Sequence, residues 1–238
     1  MTREKVAPKY EIKEVMYDKN HWKILKEKRD KSKEIMRALR KFNIFIHGSL
    51  ARGDVNKNSD IDFIILTMIN EFELVEPLDA IGILSFNERK IVQATPLSAI
   101  KASITLKDEI SITYPLIPFY PREFEFYKFG GQLDFKGLIE DMRVPGINKK
   151  LLFISPNEKG HEEIGITKEN ASIFAKKLDL SIDTILERIR VLDRRDRVGR
   201  TGIFKQKILR PDESFGEVLR ELHDNNPASK RRIRRKKI

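Results

Sequence analysis

The stretch HGSLARGDVNKNSDIDFIIL, residues 47–66, decides how this chain is interpreted. It places a short loop with glycine, serine and arginine between two apolar runs, and the second run opens with alternating aspartates. A glycine lets backbone amides come close to an anion, and a neighbouring hydroxyl can donate to a phosphate oxygen. Gly48 and Ser49 therefore form a candidate phosphate-binding pair, and Arg52 adds a fixed positive charge to the same loop.

Asp60 and Asp62 give the stronger signal. Two residues apart on a strand, their side chains point to one face, and their like charges repel unless a cation lies between them. Hard oxygen ligands on one strand suit Mg²⁺ or Mn²⁺. The competing interpretation is a loop end, with Asp60 in a turn and Asp62 on a solvent-facing edge. A P-loop is excluded, because the Lys and Ser/Thr that it requires do not follow Gly53.

Residues 47–63 resemble the signature of the polymerase-beta-like nucleotidyltransferase superfamily, in which a Gly-Ser loop precedes two aspartates on the next strand. The chain is similar in particular to small archaeal nucleotidyltransferases with a helix-turn-helix after the catalytic domain. The resemblance implies transfer of a nucleoside monophosphate from a nucleoside triphosphate, with release of pyrophosphate. It also implies that Gly48 and Ser49 hold the triphosphate, and that Asp60 and Asp62 hold the metals.

The superfamily's third carboxylate lies on a later strand and often acts as the base for the attacking hydroxyl. Here the candidates are Glu88, Asp108 and Glu109, and we prefer Glu109 as the catalytic residue because it begins the apolar run EISITY. If no acid reaches the aspartate pair, the domain binds nucleotide without turning it over. The resemblance leaves two roles open for Arg52, which either supports the loop or contacts a phosphate.

Hydrophobic periodicity predicts an α+β (mixed α/β) fold. We expect a nucleotidyltransferase-type mixed β-sheet with helices, then a small winged-helix domain and a basic tail. The main predicted elements are a helix at 21–41, strands at 43–47, 60–67 and 89–95, and a hairpin of 102–106 with 110–114. The expected domains are a nucleotidyltransferase domain at 1–131, a connecting segment at 132–165, a winged helix-turn-helix at 166–225 and a disordered basic tail at 226–238.

The C-terminal third predicts contact with nucleic acid. Two apolar-faced helices around Asp179-Leu180, followed by a strand, a glycine turn and a strand, are what a winged helix needs. The net charge is +11, and seven of the last ten residues are Lys or Arg. We expect contact with phosphates rather than sequence-specific contact with bases, because the exposed residues in the first turns of the second helix are not arginines. The predicted nucleic-acid-binding residues are Arg188, Arg194, Arg195, Arg200, Lys230, Arg231 and Arg232. The alternative for this module is protein contact or dimerisation.

Composition excludes several classes of protein. The chain has no cysteine, so a disulfide scaffold and thiol catalysis are excluded. It has no apolar run of membrane-spanning length and no secretory signal, and we expect a cytoplasmic protein. The sequence thus predicts a metal-dependent enzyme that uses a nucleoside triphosphate and modifies a nucleic acid, such as tRNA or another RNA. The alternative is a DNA-binding transcriptional regulator with a nucleotide-sensing or inactive domain. The oligomeric state stays open.

Overall fold

The computed structural model describes residues 12–83, 85–107, 110–199 and 202–234. The strands, in chain order, are β1 (Ile12–Met16), β2 (Ile44–His47), β3 (Ile61–Ile65), β4 (Glu88–Gln93), β5 (Ile100–Thr105), β6 (Ile110–Pro115), β7 (Gln132–Leu133), β8 (Gly146–Ile147), β9 (Leu152–Asn157), β10 (Gly160–Gly165) and β11 (Lys205–Ile208). The α-helices are α1 (Lys19–Ala38), α2 (Ser49–Arg52), α3 (Phe72–Asp79), α4 (Pro121–Phe129), α5 (Phe135–Ile139), α6 (Ala171–Lys177), α7 (Ile182–Val198), α8 (Phe215–Asn225) and α9 (Pro227–Arg234).

The chain divides into two compact units, each assembled from three separate segments. Unit 1 contains the described parts of Met1–Lys31, Ile46–Ser59 and Phe124–Thr201. Unit 2 contains the described parts of Ser32–Phe45, Asp60–Glu123 and Gly202–Ile238. The domains expected from the sequence were continuous stretches, so their boundaries differ from those of the units.

Unit 2 is built on a sheet whose strands run in the order β11-β4-β5-β6-β3. Strands β3 and β6 are parallel, whereas β4, β5 and β11 join by antiparallel pairing. Within β5, the side chains of Ile100, Ala102 and Ile104 are fully buried and alternate with half-buried polar ones. This two-residue period fixes one face of the sheet on the core. The predicted hairpin is confirmed as the β5–β6 pair.

The segment after α7 differs from the expected winged helix. Helix α7 continues to Val198, and the described residues contain no hairpin there. Instead β11 pairs with the edge strand β4 in unit 2, while α6 and α7 belong to unit 1. An edge strand offers unpaired N–H and C=O groups, and β11 satisfies them. The last strand expected in the winged helix is therefore β11, a strand added to a larger sheet.

The basic tail also differs from its prediction, because residues 227–234 form α9. Pro227 occupies the first helical position, where its missing N–H costs nothing. The Asn226 side chain accepts hydrogen bonds from the N–H groups of Ala228 and Ser229, 3.1 and 3.0 Å away. The Ser229 hydroxyl in turn donates to the buried Gln93 side chain at 2.8 Å. This part of the tail is therefore an ordered element of unit 2.

Unit 1 contains a second antiparallel sheet, in the order β1-β10-β9-β8. Helices α6 and α7, both predicted, pack on it around a buried cluster that includes Phe153, Phe174 and Ile189. Asp179 adopts a left-handed conformation (φ 51°) in the turn between the helices. Ser181 then caps α7 by accepting the Thr184 N–H. Strand β7 pairs with the end of β2 in this unit.

Within the residues described, no helix is both long enough and apolar enough to cross a lipid bilayer.

Candidate functional site

Strand β2 leads directly into the glycine-serine loop of unit 1. Gly48 has φ +80° and ψ −142°, a conformation that side-chain-bearing residues rarely adopt. Its N–H donates to the Gly131 carbonyl at 2.9 Å. Ser49 follows as the first residue of α2 and is half-buried. The chain turns sharply here because a glycine is present, which leaves the Ser49 hydroxyl at the start of a short helix.

Arg52 supports this loop from inside unit 1. Its side chain is 6% exposed and forms a two-pronged ion pair with Asp54, with N–O distances of 3.0 and 2.9 Å. Its third donor, Nη1, bonds to the Gly130 carbonyl. All three nitrogen atoms are thus used within the protein. Of the two roles left open by the sequence, the structure favours loop support, and we remove Arg52 from the nucleotide-binding set.

Helix α1 holds the same loop through backbone carbonyls. His21 Nε2 donates to the Gly53 carbonyl at 2.8 Å, and Lys28 donates to the Ser59 carbonyl at 2.6 Å. Arg29, which is 4% exposed, donates to two carbonyls of α2. Burial lowers the pKa of the Arg29 guanidinium to about 10. These residues were not predicted from the sequence, because a charged stretch in a helix is usually a solvated face.

The aspartates lie in unit 2, where β3 begins. Ile61 and Phe63 are 2% and 1% exposed, whereas Asp60 and Asp62 are exposed. This alternation puts both carboxylates on the solvent-facing side of the strand, opposite the core. Oxygen ligands on an exposed face next to a rigid core are compatible with a hydrated divalent cation.

A hydroxyl, rather than a carboxylate, is the immediate neighbour of Asp62. Strand β6 runs parallel to β3 with Ser111 in register with Asp62, and the Ser111 hydroxyl donates to Asp62 Oδ1 at 2.7 Å. Among the described residues no three acidic, histidine or cysteine side chains are grouped as a metal site. Glu88 forms an ion pair with Lys90 at 2.7 Å. The preferred third carboxylate, Glu109, lies outside the described residues, as does Asp108.

Two of the predicted nucleic-acid-binding residues are packed against the protein. The Arg188 guanidinium lies 4.9 Å from the centre of the Phe126 ring, and burial lowers its pKa. Arg232 is 2% exposed and lies 3.8 Å from the centre of the Tyr120 ring, and it also pairs with Glu123 at 3.0 Å. We therefore remove Arg188 and Arg232 from the nucleic-acid-binding set.

The other predicted basic residues keep varying degrees of access to solvent. Arg194 and Arg231 are exposed, and Arg195 and Lys230 are half-buried. Arg200 lies in the gap between the described ranges.

Comparison with known proteins identifies the family. The family model described as "Nucleotidyltransferase domain" matches residues 19–201, more than half of the 238-residue chain. The chain therefore belongs to the nucleotidyltransferase domain family, and the superfamily predicted from residues 47–63 is confirmed. Neither the curated proteins nor the solved structures gave a match.

Proposed function

We propose that the chain is a metal-dependent enzyme that transfers a nucleoside monophosphate from a nucleoside triphosphate to a nucleic acid, such as tRNA or another RNA. Family membership supports nucleotidyl transfer in general. The observation that carries the more specific proposal is the exposed pair Asp60 and Asp62, at the start of a strand whose other side chains are largely buried. The negative charges of Asp60 and Asp62 repel each other in this arrangement, and a cation bound between them would remove the repulsion.

The proposed roles follow the chemistry of each group. Asp60 and Asp62 hold Mg²⁺ or Mn²⁺, since exposed carboxylates are the ligands that these ions prefer. A bound cation supplies charge neutralisation for the phosphates and for the attacking and leaving oxygens. Gly48 and Ser49 bind the triphosphate through a backbone amide and a hydroxyl. Pyrophosphate leaves as the acceptor hydroxyl bonds to the α-phosphorus.

Ser111 and Glu109 complete the proposal. The hydrogen bond from Ser111 fixes one oxygen of Asp62 and leaves the other for the cation. Glu109 is proposed as the general base that accepts the proton of the acceptor hydroxyl. Because these roles differ, removing the Ser111 hydroxyl is expected to weaken cation binding, whereas removing the Glu109 carboxylate is expected to slow the chemical step.

A nucleic-acid acceptor is favoured by charge. The chain carries a net charge of +11, and exposed arginines lie on α7 at positions 190, 194 and 197. Clustered cations bind phosphate backbones by releasing condensed counterions. The proposed contacts are Arg194, Arg195, Arg200, Lys230 and Arg231 from the predicted set, together with the exposed Arg190 and Arg197 of α7.

The test is a labelling assay with the full chain. Nucleoside triphosphates labelled at the α-phosphate are mixed with Mg²⁺ or Mn²⁺ and, separately, with tRNA, total RNA, DNA or no acceptor. We expect label on RNA, and loss of about 100-fold or more in the Asp60→Asn and Asp62→Asn variants, since each removes a proposed metal ligand.

Asp79→Asn is the matched control, because Asp79 is an exposed acid of the same unit at the end of α3. It is expected to label RNA like the unmodified chain. Absence of labelled product from every acceptor, or equal labelling by the Asp60 and Asp62 variants, refutes the enzyme proposal. If only DNA becomes labelled, the proposed RNA acceptor is wrong, but the proposed transferase activity stands.

A further inference from the structure

Unit 1 contains a guanidinium whose hydrogen-bond donors are unused within the described part of the chain. Arg188 lies in α7, and no described residue accepts a hydrogen bond from it or forms an ion pair with it. Its Cζ instead lies 4.9 Å from the centre of the Phe126 ring and 5.8 Å from the centre of the Phe129 ring. The two rings fix the position of the side chain, because a guanidinium is attracted to aromatic faces, but they accept none of its N–H groups in the plane of the fork.

The terminal nitrogens of Arg188 are open to an approaching ligand. The side chain as a whole is half-buried. Its Nε is enclosed by the protein, whereas Nη1 and Nη2, which also lack partners, are not enclosed. A ligand therefore meets the two Nη atoms, whose N–H groups form a planar fork. Such a fork matches two oxygens of one phosphate or carboxylate group.

The charges around Arg188 favour an anion as this ligand. Burial lowers the pKa of the guanidinium, and of the charges nearby Glu187 raises it and Arg195 lowers it. Arg195 lies seven residues further along α7, which is close to two helical turns, so both arginines project from the same side of the helix. An arginine keeps its charge in proteins. A partly desolvated cation beside a second cation is unfavourable, and a bound anion would remove this cost.

Phe126 also connects Arg188 with the loop that follows β2. The centre of its ring lies 5.9 Å from that of His47 and 4.9 Å from the Arg188 guanidinium, which sets an upper limit of about 11 Å between His47 and the guanidinium. His47 directly precedes Gly48, and the Gly48 N–H bonds to the carbonyl of Gly131, which follows α4. Arg188 and the proposed triphosphate-binding loop therefore belong to one packed region of unit 1.

We propose that the Nη atoms of Arg188 bind an outer phosphate of the nucleoside triphosphate whose phosphate chain is held by Gly48 and Ser49. In this role Arg188 distinguishes triphosphates from monophosphates, because a monophosphate has no outer phosphate to offer. The ring contacts suit binding at a single fixed point, in contrast to contact along a nucleic-acid backbone. The proposal rests on the proposed nucleoside triphosphate substrate, but it concerns binding and does not require turnover at Asp60 and Asp62.

The test measures nucleotide binding to the full chain by calorimetry in the presence of Mg²⁺. The ligands are ATP, GTP, CTP and UTP analogues with a methylene group in place of the α,β-bridging oxygen, and the four corresponding monophosphates. We expect Arg188→Gln to bind at least one triphosphate about tenfold more weakly, since a charge-assisted contact is lost, and to bind the monophosphate with unchanged affinity. Arg188→Lys keeps the charge without the planar fork, and its affinity for the triphosphate is expected to lie between the two.

Lys176→Gln is the matched control, because it removes a positive charge from an exposed position of α6 in the same unit. It is expected to bind every nucleotide as the unmodified chain does. Thermal unfolding of each variant checks that the packing on Phe126 is kept.

Three results would overturn the proposal. These are no binding of any triphosphate, equal triphosphate binding by Arg188→Gln and the unmodified chain, and an equal loss of affinity for triphosphates and monophosphates in Arg188→Gln. The outcome is separable from that of the labelling assay. Triphosphate binding that depends on Arg188, without labelled product, refutes the transferase and supports this site, whereas labelled product with equal binding by Arg188→Gln refutes this site alone.

Discussion

Arg52 is a positive charge in the loop after β2 that stabilises the loop itself. The guanidinium is buried and bonds to both oxygens of Asp54 and to the Gly130 carbonyl. A planar fork with several donors suits this task, and a lysine could not make the same bonds. The residue therefore fixes the shape of the loop after β2.

Replacing Arg52 with alanine is expected to lower the free energy of unfolding by about 3 kcal/mol, because the half-buried Asp54 charge loses its partner and the Gly130 carbonyl loses its donor. Urea denaturation followed by circular dichroism measures this change. Lys57→Ala, an exposed change in the same loop, is expected to alter stability by less than about 0.5 kcal/mol. Equal stability of Arg52→Ala and the unmodified chain would contradict the supporting role.

Ser111→Ala tests the hydrogen bond to Asp62. Losing this bond frees the carboxylate to rotate, and we expect the apparent affinity for Mg²⁺ in the labelling assay to fall about tenfold. Thr113→Ala changes the next position on the same face of β6 and serves as the control. If both variants need the same Mg²⁺ concentration as the unmodified chain, Ser111 does not position Asp62.

At the level of elements, helix α9 contributes to unit 2 through Arg232. The guanidinium donates to the carbonyls of Leu97 and Pro118, 3.0 and 2.9 Å away, and to the Glu123 carboxylate. Arg232→Ala is expected to cost about 3 kcal/mol of stability, whereas the exposed neighbour change Arg231→Ala should cost less than about 0.5 kcal/mol. Thermal and urea unfolding compare the two variants. If Arg232→Ala is as stable as Arg231→Ala and the unmodified chain, the buried guanidinium does not stabilise unit 2.

The elements differ in how far the sequence could predict them. Strand β3 was predictable because a β-branched, apolar run follows a polar loop. Strands β5 and β6 were predictable because a charged turn separates two alternating runs. Helix α4 was not among the predicted elements, because three prolines and many aromatic residues within 115–131 give no clear helix pattern. The pairing of β11 could not be predicted, because its partner β4 lies more than 100 residues earlier and local periodicity carries no information about such distant pairs.

The candidate site shows the same division. Gly48, Asp60 and Asp62 could be proposed from the sequence because their residue types and spacing suit phosphate and metal binding. The support from His21, Lys28 and Arg29 was not predictable, because it depends on the packing of α1 against a distant loop. Arg232 was assigned to nucleic-acid binding because a run of like charges predicts exposed side chains. In the folded chain its guanidinium is instead buried, where it donates to three acceptors.

At the level of the whole molecule, positive charge predicts how the proposed binding to nucleic acid depends on salt. Neutralising Arg190, Arg194 and Arg197 together by glutamine should make the slope of log affinity against log salt less steep by roughly 2 to 3, because each lost phosphate contact contributes about 0.7 to 0.9. Fluorescence anisotropy with labelled RNA between low and physiological salt measures the slope.

The control carries the same change in net charge at three exposed arginines outside α7, at positions 37, 40 and 220. Its slope is expected to stay close to that of the unmodified chain. Equal flattening in both triple variants would show that net charge, rather than the α7 surface, determines binding.

The interleaving of the two units has a consequence for synthesis on the ribosome. A nascent chain that has reached only residue 201 contains every segment of unit 1 but lacks β11, α8 and α9 of unit 2. At that stage β4 has no partner strand on the edge where β11 will pair. The carbonyls of Leu97 and Pro118 and the Glu123 carboxylate also lack the Arg232 guanidinium, because α9 has not been translated. The proposed metal ligands Asp60 and Asp62 therefore belong to the unit whose last segments are translated last.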